Sequence, residues 1–127
     1  MITSLYAALL GILFIILSIR TVRMRRKLKI PVGDGGNMEM LRAMRTHANF
    51  NEYTPLSLIL ISFVEMRTGS FALVHFLGVL LLVGRTVHAY GIAQDEEIFQ
   101  FRIIGMACTF ATLIICIGTL IIRFVVS

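Results

Sequence analysis

The chain has 127 residues, of which 57% are hydrophobic and 15% charged, with two Cys, two Pro, ten Gly and a net charge of +5. Soluble domains carry about 25% charge and roughly 45–50% apolar residues. The composition therefore excludes an ordinary water-soluble domain, and also a disordered, collagen-like or disulfide-stapled chain. What is left is a small integral membrane protein, a single domain over residues 1–127 with room for three or four spanning helices.

Ile2 to Ile19 is the first apolar run, long enough to cross a bilayer at about 1.5 Å per residue. No Lys or Arg precedes it and no small-x-small cleavage site follows it, so it reads as an anchor and not as a cleaved signal. Arg20, Arg23, Arg25, Arg26, Lys27 and Lys29 follow directly. Such a run stays on the cytoplasmic side and places the N-terminus outside. In a soluble chain this basic excess would raise nucleic acid as a partner; beside an apolar run it reports orientation, and no nucleic acid is expected.

Pro31 to Asn37 (PVGDGGN) is a turn-rich connector. A second helix is predicted from Met38 or Glu39 to about Met66, polar in its first half and apolar from Leu56 to Val64. After a Thr68-Gly69-Ser70 turn, a third span runs from Phe71 to about Tyr90. Asp95, Glu96 and Glu97 mark an exposed loop or helix start, and the fourth span covers Ile103 to Val126. Arg67 alone marks the second loop, whereas Arg85 and Arg102 flank the third, so both termini are expected outside. Four spans with short loops predict an all-α, antiparallel four-helix bundle.

Ionisable residues are costly in hydrocarbon, and their default reading is functional. On the second helix Arg42, Arg45, Asn49 and Glu52 fall within an arc of about 80°, extended slightly by Tyr53. Pro55 then removes an intrahelical bond and predicts a kink. Arg45 and Glu52 can pair across two turns, which explains one pair as a helix interface. Twelve bases against seven acids leave the rest of the basic set unpaired, which favours a site for an external anion. Arg85 and His88 share a face near the end of the third span, and Arg102 opens the fourth. All three sets lie at one end of the bundle, where arginines repel one another unless an anion sits between them.

The remaining polar residues read as packing. His47 points away from the Arg45–Asn49 face by about 120–200°, and His75 stands alone in the third span as a helix–helix hydrogen bond. Cys108 and Cys116 are about 12 Å apart along one helix, too far for a disulfide. No pair has the spacing of a metal site, and no phosphate loop or nucleophile elbow is present.

The segment Arg45 to Leu58, RTHANFNEYTPLSL, resembles the MAPEG superfamily, the membrane-associated proteins of eicosanoid and glutathione metabolism. The resemblance rests on Arg45, Asn49, Glu52, Tyr53 and Pro55, with support from GRTVHAYG (Gly84 to Gly91) and FRIIGM (Phe101 to Met106). The four-span layout and basic first loop match as well, as in a bacterial-type member. It implies a homotrimer binding glutathione, as co-substrate, between neighbouring subunits near the cytoplasmic side. Carried over by position, Arg45, Asn49, Glu52, Tyr53, Arg85 and His88 would contact the tripeptide. Arg102 would lie near the thiol as the catalytic residue, and Arg26 or Arg23 from the first basic segment would join. The chain departs from the family at Ala48, where some relatives have a further Arg, and near Ile92, where several have Tyr; both bear on how tightly glutathione is held.

The function so implied is a membrane-bound glutathione-dependent transferase or peroxidase acting on a lipophilic small-molecule substrate, in a bacterial inner membrane with both termini periplasmic. The alternative is a non-enzymatic membrane protein that binds an anionic lipid or thiol in a basic intramembrane pocket. A small four-span drug exporter ranks last, because such a transporter needs a mid-membrane acid on its first helix and this span has none.

Overall fold

The computed structural model describes residues 1–127 and contains four helices: α1 (Thr3–Leu28), α2 (Met38–Thr68), α3 (Phe71–Ala93) and α4 (Phe99–Val126). They form the antiparallel four-helix bundle of an integral membrane protein. Three of them, α1, α3 and α4, are long and apolar enough to cross a membrane unaided. The fourth, α2, carries its polar half at the basic end of the bundle, where the C-termini of α1 and α3 also lie.

The first helix runs nine residues beyond the apolar segment and takes in most of the basic run, which was expected as loop. Arg, Lys, Met and Leu are good helix formers, and their long stems lie along apolar surface while the charges reach water. It ends where Lys29 turns left-handed at φ 55°, its N–H donating to the Arg25 carbonyl. The glycine-rich connector then leads to Asn37, whose side chain accepts from the Met40 N–H at 3.0 Å and caps α2. The second helix continues through Pro55 to Thr68. Gly69, left-handed at φ 59°, closes it, and the Ser70 hydroxyl caps α3. The third helix reaches Ala93 and the fourth starts at Phe99, so the third connection is only five residues long.

The core consists of Leu10, Leu17, Phe50, Ile61, Val64, Val74, Leu77, Leu81, Ala89 and Cys116. Only 26 of 127 residues are buried, while Ile12, Ile15, Phe63, Phe76, Ile114 and Phe124 project outward. An apolar exterior of this kind fits hydrocarbon as the solvent. Inside the bundle, helices meet through polar bonds and small residues, as expected where hydrophobicity cannot drive association. The Tyr6 hydroxyl and His75 Nδ1 lie 2.7 Å apart between α1 and α3, the helix–helix bond anticipated for that histidine. His47 packs on Phe14 and meets the Ser18 hydroxyl at 3.0 Å, joining α2 to α1. Glu65, at the far end of α2, accepts from the Thr3 amide at 2.9 Å, from the Thr3 hydroxyl at 2.6 Å and from the Ile2 amide. It thereby supplies the cap that α1 lacks. Both cysteines are free.

Helices α3 and α4 approach each other closely at two glycines. A Cβ at Gly105 would lie 2.6 Å from the Gly84 carbonyl oxygen and 2.5 Å from the His88 Cβ. Neither neighbour is a flexible side-chain end, so only glycine permits this contact. It sets the depth at which His88 and Arg102 stand relative to each other.

Candidate functional site

Arg85 is the centre of the polar cluster. It is 1% exposed and reaches three helices. One terminal nitrogen donates to Asn49 Oδ1 on α2 at 2.6 Å. The other lies 3.5 Å from the Gly105 carbonyl and 3.2 Å from Met106 Sδ on α4. The guanidinium also stands 5.6 Å from the centre of the Tyr53 ring, which packs edge-on against Phe110. The convergence read from spacing is therefore real for Asn49, Tyr53 and Arg85. Both terminal nitrogens of Arg85 are engaged within its own chain and only its buried Nε lacks a partner, so it supports the site from beneath.

Two adjoining recesses lie over this cluster, and both are lined by Asn49 and Arg102. The more enclosed and more polar one has a volume of about 130 Å³ and is lined by Arg42, Arg45, Glu97 and Ile92, among others. The wider one, about 460 Å³, is lined by His88, Phe99, Ile103, Met106, Ala107 and Phe110. Phe99, Ile103, Ala107 and Phe110 are exposed on the outer face of α4. One side of the site is thus cationic and the other opens onto an apolar surface, with Arg102 on the boundary.

Gly91 makes this boundary possible. A Cβ there would lie 2.8 Å from the Phe101 Cβ and 3.0 Å from the Ile98 carbonyl oxygen. The first turn of α4 can therefore press against the last turns of α3, bringing Arg102 beside His88. Its guanidinium donates to Glu97 at 2.7 Å and stands 5.9 Å from the Phe99 ring centre, while its Nε is buried without a partner. Sequence reasoning gave Glu97 no role beyond marking a loop; its spacing from Arg102 matches no helical repeat, and only the shape of the third connection brings them together.

Arg45 and Glu52 form the pair anticipated from their spacing, at 3.8 Å, and both side chains are at least half exposed. They face outward from α2, away from the interior of their own chain. The basic segment of α1 is not gathered into the site. Arg23 lies with Ile16, Ile19, Arg20, Met24 and Lys27 along an outward groove of about 530 Å³. Arg26 lines a separate surface niche with Arg25, Lys29 and Pro31. The α1 and α4 helices do not touch, since α2 and α3 lie between them. Arg20 instead closes the end of α3 by donating to the Ala93 carbonyl at 3.2 Å, where a cation meets the negative end of the helix.

Comparison with known proteins agrees with this layout. The profile of the MAPEG family matches residues 3–122. The chain is 36% identical over 117 residues to the inner membrane protein YecN in two strains of Escherichia coli, covering 92% of this chain and 88% of each relative.

Proposed function

The chain belongs to the MAPEG family, and from that membership together with the geometry above we propose that it is a glutathione-dependent transferase or peroxidase acting on lipophilic electrophiles. The observation that carries this reading is the position of Arg102, between a recess lined by Arg42, Arg45 and Asn49 and a groove open to the apolar exterior. Glutathione brings two carboxylates, one ammonium and one thiol. The guanidiniums match the carboxylates, and Glu52 matches the ammonium. A free thiol has a pKa of about 8.5, and a neighbouring guanidinium raises its thiolate fraction at neutral pH. A thiolate held at Arg102 faces the side from which a lipophilic substrate arrives; it attacks an electrophilic carbon and expels its leaving group, or attacks a peroxide oxygen and breaks the O–O bond, releasing the alcohol and a glutathione sulfenic acid that a second glutathione converts to disulfide and water.

The site is completed by a second copy. With Arg23 and Arg26 on other surfaces of one chain and α1 apart from α4, either of them joins Arg102 only from a neighbour. The outward groove of α1 bearing Arg23, set against the exposed pair Arg45–Glu52 and the outer face of α4, gives that arrangement, and a homotrimer closes it around a threefold axis. The basic end lies on the cytoplasmic side of the inner membrane and both termini are periplasmic, following the positive charge of α1. Titrating the purified protein with glutathione by calorimetry in detergent tests the reading. Saturable binding is expected. No binding, in a protein that is helical and trimeric, would replace it with the binding of an anionic lipid at the same cations.

A further inference from the structure

Three ion pairs occur in the chain, and only Glu97–Arg102 closes to hydrogen-bond distance, at 2.7 Å. Glu97 also lines the polar recess, where it is the one carboxylate beside Arg42, Arg45 and Arg102. We propose that Glu97 is a built-in counter-anion: it occupies Arg102 and must be displaced before an anionic ligand can take that guanidinium. This rests on the reading of Arg102 as the thiolate partner in one respect only, the identity of the displacing anion.

Several features suit Glu97 to release. It sits in the five-residue connection between α3 and α4, and its neighbours Asp95 and Glu96 are exposed. The connection is held by its backbone, the Ile98 N–H donating to the Gly91 carbonyl at 3.1 Å, and not by the Glu97 side chain. Both members of the pair are more than a third exposed, and pairs of that exposure add little net stability. The carboxylate can turn to water while α4 stays in place. Arg102 stays behind as the anchor, its Nε already buried without a partner. A carboxylate on a guanidinium is also the chemical equivalent of what the recess would bind, so Glu97 lowers the affinity of every anion that competes for Arg102. The device sets a threshold: weak anions do not displace it, and a ligand with further contacts to Arg42, Arg45 and Asn49 does.

The test compares wild type, Glu97→Gln and Glu97→Ala in the full-length protein in detergent, with Glu96→Gln as the control for loss of a nearby charge. Two probes are used: glutathione, followed by calorimetry, and inorganic sulfate, followed by thermal shift. Both Glu97 variants should bind about two- to fivefold more tightly than wild type, and more tightly than Glu96→Gln. A role confined to holding the helix start gives no such gain. If glutathione binds none of the proteins while sulfate binds the Glu97 variants more tightly, the transferase reading fails and the counter-anion stands. Equal or weaker binding of both probes in the variants, or no binding of either probe to any protein, overturns it.

Discussion

Replacing Arg85 by Leu tests what holds α2, α3 and α4 in register beneath the site. Arg85 is buried, and its shortest bond, 2.6 Å to Asn49 Oδ1, crosses from α3 to α2. A hydrogen bond to a charged group contributes about 1.5–3 kcal/mol, and an orphaned buried acceptor costs about 1–3 kcal/mol. Arg85→Leu loses the bond and leaves the half-buried Asn49 oxygen to the water of the recess, so a loss of about 1.5–3 kcal/mol is expected. Asn49→Leu leaves a buried guanidinium without its best acceptor and should cost a similar amount. The double variant removes both polar groups and leaves nothing orphaned, so its loss should fall short of the sum by about 1.5–3 kcal/mol. Thermal unfolding in detergent, followed by circular dichroism, reads the difference at roughly 4 °C per kcal/mol for a chain of this size. Losses that add to within about 0.5 kcal/mol would refute the reasoning, because the two residues would then act independently.

Other expectations follow from the same geometry. Gly105→Val should destabilise the helix bundle by about 1–3 kcal/mol and, on the proposed function, abolish glutathione binding, because its Cβ meets the Gly84 carbonyl and His88; a wild-type melting temperature would show that α3 and α4 can part there freely. Arg102→Leu should slow turnover of a halonitrobenzene roughly tenfold to a hundredfold and raise the ultraviolet-monitored thiol pKa while binding persists; lost binding with an unchanged thiol pKa would make Arg102 a carboxylate clamp. Glu52→Gln should do the reverse, weakening glutathione binding more than turnover, since it removes the counter-charge to the ammonium.

Much of the fold was legible because hydrocarbon imposes simple demands. The apolar runs gave the existence and order of four helices, and PVGDGGN and Thr68-Gly69-Ser70 gave two of the connections. The helices α1, α3 and α4 extend beyond their apolar runs. Hydropathy reports where lipid ends, whereas α1 continues through the interface because side chains such as Arg25 and Lys27 can reach water, and α3 continues through Gly91 and Ile92 because they pack against the start of α4. The Asn37 cap and the Glu65 contact with Thr3 belong to the same class, in that each is a terminal backbone group seeking an acceptor. Asn37 was visible as a turn residue, but its role depends on where α2 starts. The partner of Glu65 lies 62 residues away in sequence, and no local pattern encodes that distance.

The site divides along the same line. Periodicity placed Arg45, Asn49, Glu52 and Tyr53 on one arc, but an arc has no sense of inside and outside. Asn49 turns to Arg85 within the bundle while Arg45 and Glu52, four residues before it and three after it, pair on the exterior of the same helix. That division is informative about assembly. A surface of α2 that faced lipid alone would carry an exposed cation and carboxylate at a cost that hydrocarbon does not refund. The first helix poses the complementary problem, with Arg23 along an outward groove and no acid of its own chain paired with it. Each face lacks what the other has, and α1 and α4 cannot meet within one chain. Under the proposed assembly, packing one face on the next copy's other face would relieve both and would make the arginines of the first helix neighbours of the polar recess. The residues that sequence reasoning assigned to one pocket therefore occupy two surfaces of a single chain, and it is the contact between copies that would bring them together.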